Sequence, residues 1–161
     1  MVFIAVAYTS PINPPSASPT LNRAQIWKGL QRKVYFAQEF VSVIESCEVI
    51  KDEAGVVERV VRFKEGTFVK REAREWVREI GDGWVDFEQE DGTHIRNIVS
   101  EGAEGGLYMT YTFEFKFPDL KEGSTQAAKE TEKLKAMAKK AVDSSIETIR
   151  AMVLDGRIST A

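Results

Sequence analysis

The chain has 161 residues, 43% apolar and 29% charged, with a formal charge of −3, one cysteine and one histidine. That length suits one domain around one substantial core, and charges spread along the whole chain exclude extended disorder. The acidic balance excludes a sequence-independent nucleic-acid binder, lone Cys47 excludes an intramolecular disulfide, and Cys47 with His94 is too small a set for a Cys/His zinc site.

In chain order, the apolar run FIAVAY ends at Thr9 and Ser10 with no basic region before it. It reads as a first strand rather than a secretory signal, and points to a cytoplasmic protein. The next ten residues, PINPPSASPT, hold four of the five prolines and form an extended connector. Asn22 offers an N-cap with Gln25 reaching back, and Leu21 and Ile26 are placed as a hydrophobic staple. A helix is therefore predicted from Arg23, with Ile26, Trp27, Leu30 and Val34 on its apolar side. A second short helix is predicted through Phe36 to Ile44, turning Phe36, Phe40, Val41 and Ile44 inward.

From Cys47 the periodicity changes to alternation, punctuated by Gly55, Gly66, Gly81, Gly83, Gly92 and the glycines of 102–106. This predicts an antiparallel meander with strands near 47–52, 56–64, 67–79, 84–90, 93–101 and 106–117. The last is the most regular: Leu107, Met109, Tyr111, Phe113, Phe115 and Phe117 share one face. The closing segment 124–154 brings Leu134, Met137, Ala138, Ala141, Ile149 and Met152 to one side of a long helix, and Gly156 stops it. Its charges, from Lys129 to Asp143, form a solvated face. The fold class is α+β: a curved antiparallel sheet of seven strands wrapped around a long C-terminal helix, with two short helices after strand 1, in a single domain over 1–161. Such a sheet gripping a helix is expected to enclose an apolar cavity of about 300–800 Å³.

Chemistry there has to come from polar side chains that share the inward parity. Arg59 travels with Val57, Val61 and Phe63, Gln89 with Val85 and Phe87, Asn97 with Ile95 and Val99, and Tyr111 with its own strand. In 67–79 the parity conflicts: Val69, Ala73 and Val77 argue for one face, Phe68 and Trp76 for the other. Glu72 is inward only on the second choice, and a bulge would reconcile the two. The candidate acid/base residues are Tyr111, Arg59 and Glu72. The candidate ligand contacts are Asn97, Gln89, Val61, Phe63, Trp76, Phe87, Met109, Phe113, Met137 and Ala141. Plain core roles compete with each: a tyrosine tied to backbone, amides satisfying a bent sheet, an arginine paired with a carboxylate. His94 alternates with Ile95 and faces outward beside Arg96, and Cys47 packs as a small hydrophobe. The chain carries no phosphate-binding glycine loop, GxSxG elbow or HExxH pair, so neither a metal nor a nucleotide cofactor is expected.

This order of elements, with the segments LNRAQIWKGL, FVSVIESCEVI, VVRF, VDFEQEDGTHIRNIVSEG and GLYMTYTFEF, resembles the helix-grip proteins of the SRPBCC superfamily. Relatives there include START-like lipid binders, birch-pollen-allergen-like proteins and aromatic polyketide cyclases. The likeness is strongest to a branch often found in fungal biosynthetic gene clusters, and spans Phe3 to Leu154. It implies a hydrophobic small-molecule ligand, with no nucleic acid and no membrane insertion. It implies either a cofactor-independent cyclisation, isomerisation or dehydration of a polyketide-like intermediate, or a carrier that protects an apolar metabolite. A protein-interaction module is a weaker third possibility.

Overall fold

The alternation of 107–117 becomes a full-length strand because its two faces meet different surroundings. Met109, Tyr111 and Phe113 are buried while Lys116 is exposed. The structure is a computed structural model describing residues 1–68 and 70–159. Its elements are β1 (Val2–Pro11), α1 (Arg23–Tyr35), β2 (Ile44–Glu53), β3 (Val56–Phe63), β4 (Glu72–Ile80), β5 (Trp84–Gln89), β6 (His94–Glu101), β7 (Leu107–Phe117) and α2 (Thr125–Leu154). The seven strands form one antiparallel sheet in the order β1-β7-β6-β5-β4-β3-β2. First and last strands pair from Val2↔Phe117 to Pro11↔Tyr108, so the chain ends on the strand beside its start before entering α2.

Local chemistry sets the helix boundaries. Asn22 accepts from the Gln25 amide at 2.8 Å and its own amide donates to the Gln25 side chain at 2.9 Å, a reciprocal cap that starts α1. Ser124 caps α2 through the Ala127 amide, and Gly156 takes the left-handed conformation (φ 85°) just beyond its end. The proline-rich connector is pinned twice. Asn13 exchanges two hydrogen bonds with the Leu21 backbone, and Arg150 of α2 donates to the carbonyls of Ile12 and Pro19. Gly29 is where α1 crosses α2: a Cβ there would lie 2.5 Å from the Ile149 side chain.

The second predicted helix is corrected to a single 3-10 turn at Ala37–Glu39. Phe36 ends α1 in a non-helical conformation, and the β-branched Val41, Val43 and Ile44 lead into β2, so the residues expected to continue a helix enter the sheet. Phe40 and Ile44 still turn inward, whereas Phe36 is exposed. The strand predicted from 67 begins at Glu72, after a turn at Lys64–Thr67. Val69, part of the parity conflict, lies outside the described residues. The bulges of the sheet fall in β2, between Ile44 and Ser46 and between Val49 and Lys51, while β4 pairs regularly on both sides.

One core joins the inner sheet face to α1 and α2. Val85, Met109, Tyr111, Ala138, Val142, Ile149 and Met152 are all essentially fully buried in it. Each large apolar side chain so placed contributes about 1.5–3 kcal/mol relative to exposure. These side chains pack the centre of the space between the sheet and the closing helix, where the sequence predicts a cavity. Two hollows mark the surface instead. One of about 530 Å³ runs along the outer side of α2 by Lys139, Asp143 and Glu147, and one of about 210 Å³ lies by the β2–β3 turn at Glu53, Val56 and Trp76.

Candidate functional site

Cross-strand register assembles two polar groups in the apolar interior. Arg59 of β3 pairs with Glu75 of β4, which pairs with Gln89 of β5, and residues opposite one another share a face. The Arg59 Nε and Nη2 donate to Glu75 Oε1 at 3.0 and 2.7 Å, and Gln89 Nε2 donates to Glu75 Oε2 at 2.9 Å. The remaining Arg59 nitrogen donates to the carbonyls of Lys33 and Val34 at 2.9 and 2.7 Å, satisfying the last turn of α1 where a positive charge is favoured. Each ionic member of this set has its charge opposed, and most of its hydrogen-bonding capacity is engaged.

The second group lies beside it. Asn97 of β6 is opposite Tyr111 of β7, and Lys33 of α1 reaches both: its Nζ donates to Asn97 Oδ1 at 2.9 Å and lies 3.3 Å from the Tyr111 hydroxyl. The amine also sits 4.4 Å above the Tyr111 ring and 5.8 Å from the Phe87 ring, contacts that favour a cation. Burial nonetheless lowers the Lys33 pKa to about 7. The Arg59 charge pushes the same way and Glu75 opposes. Burial raises the Tyr111 pKa, against a hydrogen bond with Ser145, so Tyr111 is a neutral phenol at any physiological pH. The amide nitrogen of Asn97, a residue 1% exposed, has no hydrogen-bond partner. Together the three present an amine close to neutrality, a phenol able to donate, and an unspent amide N–H.

The candidates read from the sequence divide accordingly. Tyr111, Asn97, Arg59 and Gln89 all face inward, as do Val61, Phe87, Met109 and Phe113, while Phe63 is half-buried beside Val61. Arg59 commits four of its five N–H donors to Glu75 and to the last turn of α1. Glu72 is corrected to the outer face, where it meets Arg62, because Ala73, Glu75 and Val77 take the inner parity of β4. Trp76 follows Glu72 outward, packs under Arg74 and lines the surface hollow by the β2–β3 turn rather than the interior. Met137 and Ala141 lie half-buried at the edge of the inner face of α2, whose centre is Ala138, Val142 and Ser145. The sequence reading missed Lys33 and Glu75. Lys33 stands seven residues after Ile26 and three after Leu30, on the buried stripe of α1, and Glu75 lies between Ala73 and Val77, so both were within reach of periodicity.

His94 is on the outer face, its nitrogens 2.5 Å from Asp86 and 3.0 Å from Glu114. Asp86, Glu88 and His94 could each offer one atom to a cation, but Arg96 and Arg78 already neutralise those carboxylates, which makes this a surface ion-pair net. Cys47 is half-buried, its sulfur 4.0 Å from the Val34 carbonyl. Among the described residues, no helix is long and apolar enough to cross a membrane.

Comparison with known proteins agrees with this architecture. The family described as acetylaranotin biosynthesis cluster protein L matches residues 6–156. The protein of that name from Aspergillus terreus is 25% identical over 158 residues, covering 97% of this chain and 94% of that protein. Among solved structures, the Zhui aromatase/cyclase from Streptomyces sp. R1128 superposes with a TM-score of 0.67 at 10% identity, covering 99% of each chain. The di-domain aromatase/cyclase StfQ of the steffimycin pathway gives 0.68 at 8% identity, covering 96% of this chain and 52% of that one. TTHA0849 from Thermus thermophilus gives 0.57 at 13%, covering 96% and 99%. At these identities the structural likeness establishes the helix-grip fold and nothing about chemistry.

Proposed function

Because this chain belongs to the family of acetylaranotin biosynthesis cluster protein L, we propose that it takes an apolar, polyketide-like biosynthetic intermediate between the sheet and α2 and catalyses a cofactor-independent cyclisation, isomerisation or dehydration there. The observation that carries this reading is the Lys33, Asn97 and Tyr111 group: a proton acceptor, a polar anchor and a proton donor held together in a buried, apolar interior. A group of that kind moves protons within a bound molecule, while the surrounding wall orients it and keeps water out. Aromatase/cyclases of the same fold are named for aromatising, ring-forming chemistry, which is the class of reaction proposed here. Entry requires the interior to repack. Met109, Met137 and Met152 line it, and methionine is the side chain that adapts to a new shape most cheaply.

A carrier is the second reading, favoured by the other buried group: Arg59, Glu75 and Gln89 bond to one another and to α1, which is architecture with little unspent chemistry. Both readings need a bound molecule. Native mass spectrometry of freshly purified protein is expected to show one retained apolar compound, released on denaturation. A bare chain mass in every preparation, together with no binding of apolar fluorescent probes, overturns both.

A further inference from the structure

Among the described residues, two buried side-chain polar atoms lack a partner, Asn97 Nδ2 and Thr112 Oγ1. Thr112 alternates with Tyr111 and Phe113 and so belongs to the opposite face of the sheet, away from the core. Asn97 Nδ2 is inside, on the same amide whose oxygen holds the Lys33 amine. An unmade hydrogen bond in the interior is destabilising, and an oxygen-bearing ligand would remove that penalty. The charged and titratable groups facing Lys33 are Arg59 of β3, Glu75 of β4 and Tyr111 of β7, while α2 contributes only Ser145, through Tyr111. The Glu75 carboxylate is committed to Arg59, so no anion is left to hold an ammonium group in place.

We propose that Lys33 is a covalent catalyst, condensing with the carbonyl carbon of an apolar ketone or 1,3-diketone while Asn97 Nδ2 donates to the carbonyl oxygen. This rests on the binding reading above and specifies the substrate class and the reacting atom. The neutral amine attacks the carbonyl carbon, forming the C–N bond as the C=O π pair moves to oxygen. The extra proton on nitrogen passes to that oxygen, giving a carbinolamine. Tyr111, 3.3 Å from Nζ, delivers a proton to the hydroxyl, which leaves as water, and the nitrogen lone pair forms the C=N bond of an iminium ion. The phenolate so formed recovers its proton from the carbon next to the iminium, leaving a neutral enamine, the nucleophile that a ring closure needs. No oxidant or reductant enters the sequence. The lowered basicity of Lys33 supplies a neutral amine near neutrality, where an exposed lysine is almost wholly protonated.

The test treats the native full chain with benzoylacetone near neutral pH, followed by intact-mass analysis and peptide mapping. The expected result is one adduct, heavier by one diketone less one water, on Lys33 with the exposed lysines unmodified. The Asn97→Leu variant should form it roughly tenfold more slowly, the worth of one hydrogen bond to the carbonyl. A native chain with Lys33 unmodified, or modified only together with the surface lysines after unfolding, overturns the proposal. Lys33→Met, which replaces a buried amine by an apolar chain of similar length, separates this from failure of binding. Stabilisation of that variant by benzoylacetone alongside an unmodified wild type refutes the covalent step and leaves binding standing, while no stabilisation of either protein refutes both. Should Lys33→Met not fold, the same stabilisation measurement on the wild type makes that separation.

Discussion

Two buried polar groups share the last turn of α1, and they differ in whether their capacity is used up. Arg59, Glu75 and Gln89 form a closed set in which an ion pair made by two arginine nitrogens on one carboxylate oxygen, an amide on the other oxygen and two helix carbonyls are joined. Lys33, Asn97 and Tyr111 form an open one, with an amine that has no anion of its own and an amide nitrogen that has no acceptor. Desolvating a charge costs several kcal/mol, and the first set recovers it through geometry. In the second set burial brings the amine close to neutrality instead. A closed polar set fixes where α1 sits, and an open one is what a substrate can complete.

The largest effect should come from opening the closed set. Glu75→Gln keeps the shape but leaves Arg59 buried without an anion, and should cost about 3–5 kcal/mol in denaturant unfolding. A loss below about 1 kcal/mol, the scale of an exposed pair, would show that water already screens this pair.

Tyr111→Phe removes one hydroxyl from the open set and leaves the packing. Turnover should fall roughly ten- to thousandfold while stability drops by about 1 kcal/mol, the worth of the lost hydrogen bonding. On the carrier reading only affinity should change, by about the same 1 kcal/mol. Unchanged rate and unchanged affinity would place the hydroxyl away from the ligand.

Lys33→Met closes the open set by making it apolar. The folded pKa of Lys33 lies below its unfolded value, so between the two the unfolded chain binds more protons and the wild type gains stability as pH rises. That gain should be about 2–3 kcal/mol from about pH 6 to about pH 9, measured relative to the Met variant, which lacks it. Parallel stability profiles for the two proteins would remove the buried amine from the account.

Gly29→Ala acts on both groups through the seat of α1. The added methyl meets the fully buried, β-branched Ile149 and should cost about 1–3 kcal/mol. If the closed set is the anchor and the open one only rides on it, calorimetry will show destabilisation while Lys33 still titrates as in the wild type.

The sheet was legible because its signal is local. Alternation in 107–117 and the turn glycines located the strands, and Asn22 with Gln25 located α1. Legibility failed where two local signals conflicted or where the deciding contact is distant. Phe68 and Trp76 are large apolar residues that argued for an inner face, yet Trp76 is outside under Arg74 and Phe68 packs edge-on against Phe63, so hydrophobic size misled where Ala73 and Val77 did not. Lys33 was passed over because a lysine on a helix is ordinarily solvated. Periodicity places it on the buried stripe of α1, but not the partners Asn97 and Tyr111, sixty and more residues away, that receive the amine there. On α2 the stripe that includes Ala141 lies slightly to one side of the observed centre, Ala138, Val142 and Ser145, because the spacing of apolar residues fixes a helix face only approximately.

The difference between the closed and open sets is tested most directly by following the Lys33 ε-carbon by NMR as pH is raised. The account predicts a midpoint at about 7, well separated from exposed lysines near about 10.4. A Lys33 signal that titrates together with the surface lysines would contradict it.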